Sequence, residues 1–225
     1  LMGLTGEKGG GPVKPGLPMA DLSSGLWVVI GLLSALTGRS QTGRGSHIDF
    51  SMLDGQVALL SLAAARWFAL GEVPPRLGTE HPGRVPSATF RCRDGKFVHI
   101  TGSDQHWAPL CQLLGLPRWA ADSELARNAV RVARRDEVMA GLSAAIAGFE
   151  RDALCALCDA AGVPAGPILA VDEVLADAHV QARGMVAEYA HPQLGRFGAL
   201  PLPFKFEGLD NPQLGRPPLL GEHTD

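Results

Sequence analysis

Asp21 is the residue whose position in this sequence best suits chemistry on a carbonyl group. It follows the apolar residues 17–20 and precedes Ser23, Ser24 and Gly25, where a helical run begins. Free N–H groups and the positive end of the dipole at a helix N-terminus stabilise a carboxylate, and small side chains leave room for a ligand. An ionised carboxylate in such a place can attack an acyl carbon as a nucleophile, although the same position also suits a simple helix cap.

Other chemistry-bearing residues fit weaker patterns. Lys8 and Lys14 lie in the Gly/Pro-rich loop before Asp21, where they either approach phosphate groups or are simply solvated. Cys155 and Cys158 form a CxxC pair, but they lie in an Ala/Leu-rich helical pattern without a second pair, so we interpret them as apolar helix residues. The histidines show no pair at ligand spacing and the P-loop, dinucleotide-binding and serine-hydrolase motifs are absent, so we expect no metal site.

The composition indicates a folded protein rather than a disordered chain. The 225 residues carry a formal net charge of −3, with 46% hydrophobic and 6% aromatic residues. This balance argues against disorder and against a nucleic-acid partner, which would require a basic patch. The most apolar stretch, residues 26–36, is shorter than the ~18 residues that cross a bilayer, so no membrane segment is expected. The N-terminus lacks a signal-peptide pattern, and a reduced, cytoplasmic location is therefore the expectation.

The pattern of apolar and turn residues predicts the elements around Asp21. We expect a helix over residues 23–36, a strand over 47–52 and a helix through residue 70 that starts from the cap Ser51-x-x-Asp54. Residues 71–86 form a Pro/Gly-rich linker. After it we expect a β-hairpin of residues 88–92 and 96–101, helices over 107–114, 122–128, 134–149 and 152–161, a turn over 162–167, short helices over 171–177 and 179–182, and strands over 185–189 and 200–206.

The sequence resembles the family III CoA-transferases, the group that includes formyl-CoA transferase, carnitine CoA-transferases and α-methylacyl-CoA racemase. The resemblance covers essentially all 225 residues and depends on the order and spacing of several short blocks. These blocks are PVKPGLPMADLSSG (12–25), GLLSAL (31–36), TGRGSHIDFSMLDGQVALL (42–60), HPGRVPSATFRCRDG (81–95), ITGSDQHWAPLCQLLG (100–115), AGVPAGPI (161–168), VLADAHVQARGMV (174–186) and PPLLGEHTD (217–225).

The resemblance implies an α/β fold and a division of the chain. Residues 1–70 would be the end of a Rossmann-like large domain that contains the catalytic Asp, and residues 71–85 the linker. Residues 86–182 would form a small α+β domain, and residues 183–225 would return to the large domain. The first half of that large domain, with most CoA contacts, would precede Leu1, so we expect a chain truncated at its N-terminus. The resemblance also implies an interlocked, ring-shaped homodimer.

The resemblance also assigns roles to individual residues. Asp21 matches the family's catalytic carboxylate, which accepts the acyl group and then CoA itself, and backbone N–H groups of residues 22–24 are candidates for the oxyanion site. Gly83, Arg84 and Val85 align with a mobile loop and are candidate substrate-binding residues; Arg84 either pairs with the acceptor carboxylate or is a solvated linker residue. Acyl-CoA and a small carboxylic acid would be substrates, with no tightly bound cofactor.

Two alternatives stay open at the level of the sequence. In an α-methylacyl-CoA racemase of the same fold, the matching Asp is one of two proton-transfer groups and its partner His would lie upstream of Leu1. The segment Asp21-Leu-Ser-Ser-Gly resembles the transferases more than the ADxGGG pattern of the racemases. The second alternative is a non-catalytic fragment that lacks the CoA-binding half.

Overall fold

The computed structural model describes residues 1–208 and 215–224. A short 3₁₀ turn, Met2–Leu4, precedes the Gly/Pro-rich loop, and helix α1 then runs over Met19–Thr42. Helix α1 is longer at both ends than the predicted 23–36. It begins after the N-cap Pro18 and continues until Gly43, which has φ +70° and donates its N–H to the Arg39 carbonyl. Asp21 therefore lies inside the helix and not before it.

The length of α1 corrects the argument about membrane segments. Its 24 residues contain an 18-residue window of mean hydropathy 1.7, of which 6% is buried, so the helix passes the length and composition test for a bilayer span. Apolar core helices of other proteins and N-terminal signal sequences pass the same test, which makes the finding a weak indicator.

The predicted strand over residues 47–52 is wrong. Residues 44–51 are without regular secondary structure, and Ser51 is the extended N-cap of helix α2, Met52–Ala58. A strand needs a neighbour to complete its backbone hydrogen bonds, and no strand in the described part of the chain pairs with this segment. The cap itself is confirmed, because the Ser51 hydroxyl oxygen accepts from the Asp54 N–H at 3.0 Å.

The single helix predicted through residue 70 is divided into two. Helix α2 ends at Ala58, and helix α3 covers Ser61–Leu70. The break coincides with Ser61, whose φ of +33° is one that L-residues rarely adopt. Gly71, with φ +66°, then ends α3 in the left-handed conformation that glycine adopts without a steric penalty.

A three-stranded antiparallel sheet and the helices packed on it contain the hydrophobic core. Strands β1 (Ser87–Arg91), β2 (Phe97–Thr101) and β3 (Ala165–Ile168) lie in the order β1-β2-β3. The accompanying helices are α4 (Asp104–Leu113), α5 (Pro117–Ala120), α6 (Asn128–Ala133), α7 (Arg135–Ile146) and α8 (Arg151–Ala160). Within the described residues, the buried hydrophobic side chains all lie between Val85 and Val163. They include large side chains from the sheet and from α4, α7 and α8, such as Ile100, Trp107 and Leu142.

Several predictions for this region are confirmed, and two are wrong. The hairpin, α4, α7 and α8 form within a few residues of the predicted bounds. Strand β3 occupies part of the predicted turn 162–167, because its residues complete the open edge of β2, where Gly166 lies opposite His99 and Ala165 opposite Ile100. The helix predicted over 122–128 is a series of turns, with the Asp122 carboxylate accepting from the N–H groups of Glu124 and Leu125.

The last described segment contains the two expected short helices and a two-stranded sheet. Helices α9 (Val171–Ala176) and α10 (Ala178–Ala182) are followed by β4 (Ala187–His191) and β5 (Gly195–Ala199), which pair antiparallel. Strand β4 lies within two residues of the strand predicted over 185–189. The strand predicted over 200–206 is wrong, because these residues are not in a strand. Residues 192–194 form the turn after β4, and Gly195, with φ +71°, begins β5. The prolines at positions 201 and 203 lack the N–H that a ladder requires.

The linker is tied to both the glycine-rich loop and the core region. The Gly78 N–H donates to the Gly6 carbonyl and Arg76 Nε donates to the Gly10 carbonyl. On the other side, Arg135 donates to the Glu80 carboxylate at 2.8 Å and also to backbone carbonyls of the linker. These bonds hold the linker on α7, while the division into residues 1–70, 71–85, 86–182 and 183–225 stays a prediction.

Candidate active site

Asp21 occupies the first turn of α1 as its third residue. The N-cap position is Pro18, which has no hydroxyl or carboxylate to cap the helix, so Asp21 is not the N-cap. Its side chain is exposed and has no hydrogen bond or ion pair with any residue in the described ranges. Within the described ranges, Asp21 is therefore an unpaired carboxylate at the positive end of a long helix.

The backbone groups available to an oxyanion differ from those predicted. The Leu22 N–H donates to the Pro18 carbonyl at 3.0 Å, and residues 23 and 24 lie in the regular part of the helix. In an α-helix only the first N–H groups lack an intrahelical partner. Since the Met19 N–H donates to the Leu17 carbonyl, the free N–H groups of this turn are those of Ala20 and Asp21.

A cavity of about 250 Å³ opens beside Asp21. It lies between the loop before α1, the first turn of α1 and helix α2. Its lining residues are Leu1, Met2, Lys14, Pro15, Leu17, Pro18, Met19, Ala20, Asp21 and Gln56. An apolar wall with one carboxylate, one ammonium group and one amide suits a small acyl group with a polar end. Gln56 was not predicted as a site residue because it lies 35 positions from Asp21, although it belongs to the block 42–60 that supports the family resemblance.

Two small serines lie beneath this turn. Ser23 and Ser24 are each 8% exposed, and they are the two buried polar residues of α1. The Ser23 hydroxyl donates to the Met19 carbonyl at 2.6 Å, and the Ser24 hydroxyl donates to the Ala20 carbonyl at 2.6 Å. Ser23 also accepts a hydrogen bond of 2.9 Å from Gln56 Nε2, so α2 is attached to the first turn of α1.

The segment Gly83-Arg84-Val85 is attached to α6, in part through the side chain of Asn128. Asn128 donates from Nδ2 to the Gly83 carbonyl at 3.0 Å and accepts at Oδ1 from the Val85 N–H at 3.0 Å. Arg84, between them, is exposed and has no hydrogen bond or ion pair with a described residue. Val85, in contrast, is 0% exposed and belongs to the core, so its side chain is not at the surface as a substrate contact requires.

The two lysines of the loop before α1 have different surroundings. Lys8 forms an ion pair with Asp136 of α7, and its hydrogen bond holds the pKa of that carboxyl below the usual range. Lys14 instead lines the cavity beside Asp21. Of the two phosphate-binding candidates, Lys14 is therefore the one with a side chain near Asp21.

The cysteines are poor nucleophiles in this fold. All four are free thiols. Burial raises the pKa of Cys111 to about 12 and the pKa of Cys158 to about 11, and it also raises the pKa of Cys92 and Cys155. No group of three or more His, Cys, Asp or Glu side chains suited to a metal occurs among residues 1–208 and 215–224.

A larger cavity, of about 480 Å³, lies between α3 and the linker. It shares no lining residue with the Asp21 cavity. Its charged groups are neutralised, because Arg66 pairs with Glu72 and Arg135 pairs with Glu80. Size alone would favour this cavity, but a free carboxylate is found only in the smaller of the two, and we place the candidate active site there.

The overall arrangement is that of a mixed helix-and-strand protein of the CaiB/BaiF type. The crystal structure of a CAIB/BAIF family protein from Brucella suis matches with a TM-score of 0.83 and 37% sequence identity, over 99% of this chain and 57% of that chain. Rv3272 from Mycobacterium tuberculosis matches with a TM-score of 0.82 over 98% of this chain, but at 22% identity it supports the fold alone. The expected α/β class is confirmed.

The family model for CoA-transferase family III matches residues 1–224, and the chain belongs to that family. Succinyl-CoA:glutarate CoA-transferase of Mus musculus is 34% identical over 224 residues, which are 100% of this chain and 51% of that protein. The succinate–glutarate CoA-transferase of Agrobacterium fabrum is 36% identical over 82% of this chain and 46% of its own length. Acetyl-CoA:oxalate CoA-transferase of Acetobacter aceti is 34% identical over 94% of this chain and 54% of that protein. The chain thus spans about half the length of these relatives.

Proposed function

We propose that this chain contains the nucleophile of a CoA-transferase that moves CoA from an acyl-CoA donor to a carboxylic acid. The observation that supports the proposal is the Asp21 carboxylate, which lies in the first turn of α1, lines the cavity and has no hydrogen bond or ion pair with a described residue. Such a carboxylate is chemically equivalent to both the departing and the incoming acid. Each exchange of partners is therefore nearly balanced in free energy and needs no ATP.

The reaction proceeds through three covalent states of Asp21, which are a mixed anhydride with the donor acyl group, a CoA thioester and a mixed anhydride with the acceptor. Its carboxylate attacks the thioester carbonyl of the donor, forming a mixed anhydride and releasing CoA thiolate. The thiolate attacks the aspartyl carbonyl, which gives an aspartyl-CoA thioester and the free donor acid. The acceptor carboxylate then attacks the carbonyl carbon of this thioester, which forms a second mixed anhydride with Asp21 and releases the thiolate again. Attack of the thiolate on the acceptor's acyl carbon completes the transfer and regenerates Asp21.

The same turn supplies groups that stabilise the tetrahedral intermediates. The free N–H groups of Ala20 and Asp21 are donors of the kind that form oxyanion holes. Lys14 adds a positive charge at the cavity that attracts anionic substrates. Arg84, which is exposed and has no partner among the described residues, is a candidate for binding the acceptor carboxylate, with Gly83 beside it as a backbone contact.

Short dicarboxylic acids and their CoA thioesters are the proposed substrates. This choice follows the names of the relatives, which act on succinyl-CoA and glutarate. We further propose a cytoplasmic homodimer in which family sequence outside these 225 residues covers the exposed apolar surface of α1. The match covers 57% of the Brucella suis protein, so 43% of that protein lies outside the matched part.

The test traps the aspartyl intermediate in the complete product of the gene that encodes these residues. The protein is incubated with succinyl-CoA and glutarate, and hydroxylamine is added to convert Asp21 to its hydroxamate, read as a mass shift on the Asp21 peptide. We expect Asp21→Asn to lose both the mass shift and glutaryl-CoA formation. Asp54→Asn is the matched control, since Asp54 also lies in the first turn of an exposed helix. Turnover by Asp21→Asn would overturn the proposal.

The two alternatives give different results in the same experiment. A racemase would exchange the α-proton of a 2-methylacyl-CoA with deuterated water and would pass no CoA to a second acid. A non-catalytic protein would neither exchange the α-proton nor transfer CoA, whichever pair of acyl-CoA and acid is supplied. The donor and acceptor preference is read by mass spectrometry from a panel of such pairs.

A further inference from the structure

The first turn of α1 lacks the usual means of stabilising a helix N-terminus. Helices most often start with Ser, Thr, Asp or Asn, whose side chain accepts from a free N–H group and keeps the first turn from fraying. Here the N-cap is Pro18, and no side chain in the described part of the chain makes that bond. The turn that positions Asp21 therefore needs another contact to define its geometry.

Gln56 provides such a contact from helix α2. Its Nε2 donates to the Ser23 hydroxyl oxygen at 2.9 Å, and that hydroxyl donates its single proton to the Met19 carbonyl at 2.6 Å. A serine hydroxyl has one proton, so with the proton on Met19 its lone pair must accept from Gln56. The direction of both bonds is thus defined, and the chain of contacts joins Gln56 to the backbone two residues before Asp21.

Ser24 shows what is particular about Ser23. Both serines are 8% exposed, and both donate to a carbonyl of the first turn at 2.6 Å. Only Ser23 accepts from another helix, and this is the one side-chain hydrogen bond between α1 and α2 in the described part of the chain. Gln56 is also partly exposed and lines the same cavity as Asp21.

We propose that Gln56 is a positioning residue for the Asp21 carboxylate and acts through the Ser23 hydroxyl. This inference rests on the proposed function, because it concerns the geometry of the nucleophile. Displacement of a reacting group by a fraction of an ångström lowers the rate of the chemical step far more than it lowers substrate affinity. Loss of the Gln56–Ser23 bond should therefore reduce kcat and leave KM for the acyl-CoA nearly unchanged.

The experiment compares four variants of the complete protein with succinyl-CoA as the donor. Gln56→Met keeps the length of the side chain without the amide, and Ser23→Ala removes the hydroxyl. We expect each to lower kcat about ten-fold, with KM changed less than two-fold. The double variant should lose no more than either single variant, because both changes break the same contact. Ser24→Ala loses an equally buried hydroxyl and should retain kcat within about two-fold.

The outcomes separate this inference from the proposed function. If Asp21→Asn is inactive while Gln56→Met and Ser23→Ala behave like Ser24→Ala, the positioning role is wrong and the function stands. Additive losses in the double variant, or a change confined to KM, would also overturn the positioning role. If Asp21→Asn is active, the function itself fails. Should Gln56→Met not fold, Gln56→Glu, which keeps the length but cannot donate when ionised, provides the same comparison.

Discussion

Arg131 donates from Nε to the carbonyl oxygen of Val85 at 2.6 Å, which attaches the end of the linker to helix α6. The guanidinium is 0% exposed and also donates to the carbonyls of Leu125 and Ala126 and to the Asp104 carboxylate, each within 2.8 Å. Buried charge is tolerated when its hydrogen bonds are complete. Together with Asn128, this side chain determines where the segment that contains Arg84 meets the core.

Arg131→Met is expected to destabilise the protein strongly. It leaves buried carbonyl groups without a donor, and changes of this kind cost about 3 kcal/mol. The free energy of unfolding is measured with urea. Arg134→Met is the control, since Arg134 is exposed and pairs with Glu137 on the surface, and it should change stability little. Equal effects of the two substitutions would contradict the role given to Arg131.

Gly141→Ala is expected to destabilise α7, although alanine is the better helix former. A Cβ at position 141 would lie 2.2 Å from the indole ring of Trp119. That ring cannot move freely, since it stacks on Trp107 with a centroid distance of 5.9 Å. We expect a loss of about 1–3 kcal/mol in chemical denaturation. In a Trp119→Phe background the smaller ring should reduce this loss; an unchanged loss would locate the clash elsewhere.

Stability should fall in acid as Glu173 becomes protonated. Hydrogen bonds from Arg151, from the Ala170 N–H and from Lys96 lower the pKa of Glu173 to about 2. Because the folded pKa lies below the unfolded value of about 4.3, the contribution is complete above the unfolded pKa and is lost as pH falls toward 2. The difference in stability between wild type and Glu173→Gln should be constant above pH 5 and shrink below pH 4. A difference independent of pH would contradict this prediction.

The thiols should react slowly with iodoacetamide at pH 7.5 in the folded protein. Burial raises the pKa of each cysteine, and Cys155 alone is partly exposed. We expect any early alkylation at Cys155, and alkylation of Cys92, Cys111 and Cys158 only after denaturation, as counted by mass spectrometry. Rapid joint modification of Cys155 and Cys158 would favour the redox interpretation of the CxxC pair.

Lys14→Ala and Lys8→Ala should differ in their effect on substrate binding. Lys14 lines the Asp21 cavity, whereas Lys8 pairs with Asp136. On the proposed function, Lys14→Ala raises KM for succinyl-CoA several-fold, and the effect weakens as salt is added. Lys8→Ala leaves KM unchanged. A larger effect of Lys8→Ala would show that its ion pair opens when substrate binds.

Local chemistry was sufficient to predict many elements and the candidate nucleophile. The cap Ser51-x-x-Asp54 is recognisable from its residue types, and in the structure the Ser51 hydroxyl oxygen accepts from the Asp54 N–H. The turn before Lys96 and the apolar alternation on either side predicted the β-hairpin. Asp21 could be recognised because its residue type and the helix signal beside it are visible in adjacent positions of the sequence. The blocks that indicate the family are local in the same way.

Contacts between distant residues depended on the tertiary structure. Gly166 and Pro167 are typical of a turn, yet they form strand β3 because the open edge of β2 supplies the hydrogen-bond partners. The alternation of residues 47–52 predicted a strand that has no neighbour in the described ranges. Arginine and glutamine are usually exposed, so the sequence does not predict that Arg131 is buried or that Gln56 bonds to Ser23, 33 positions away. Both features depend on the packing of helices that brings these groups together.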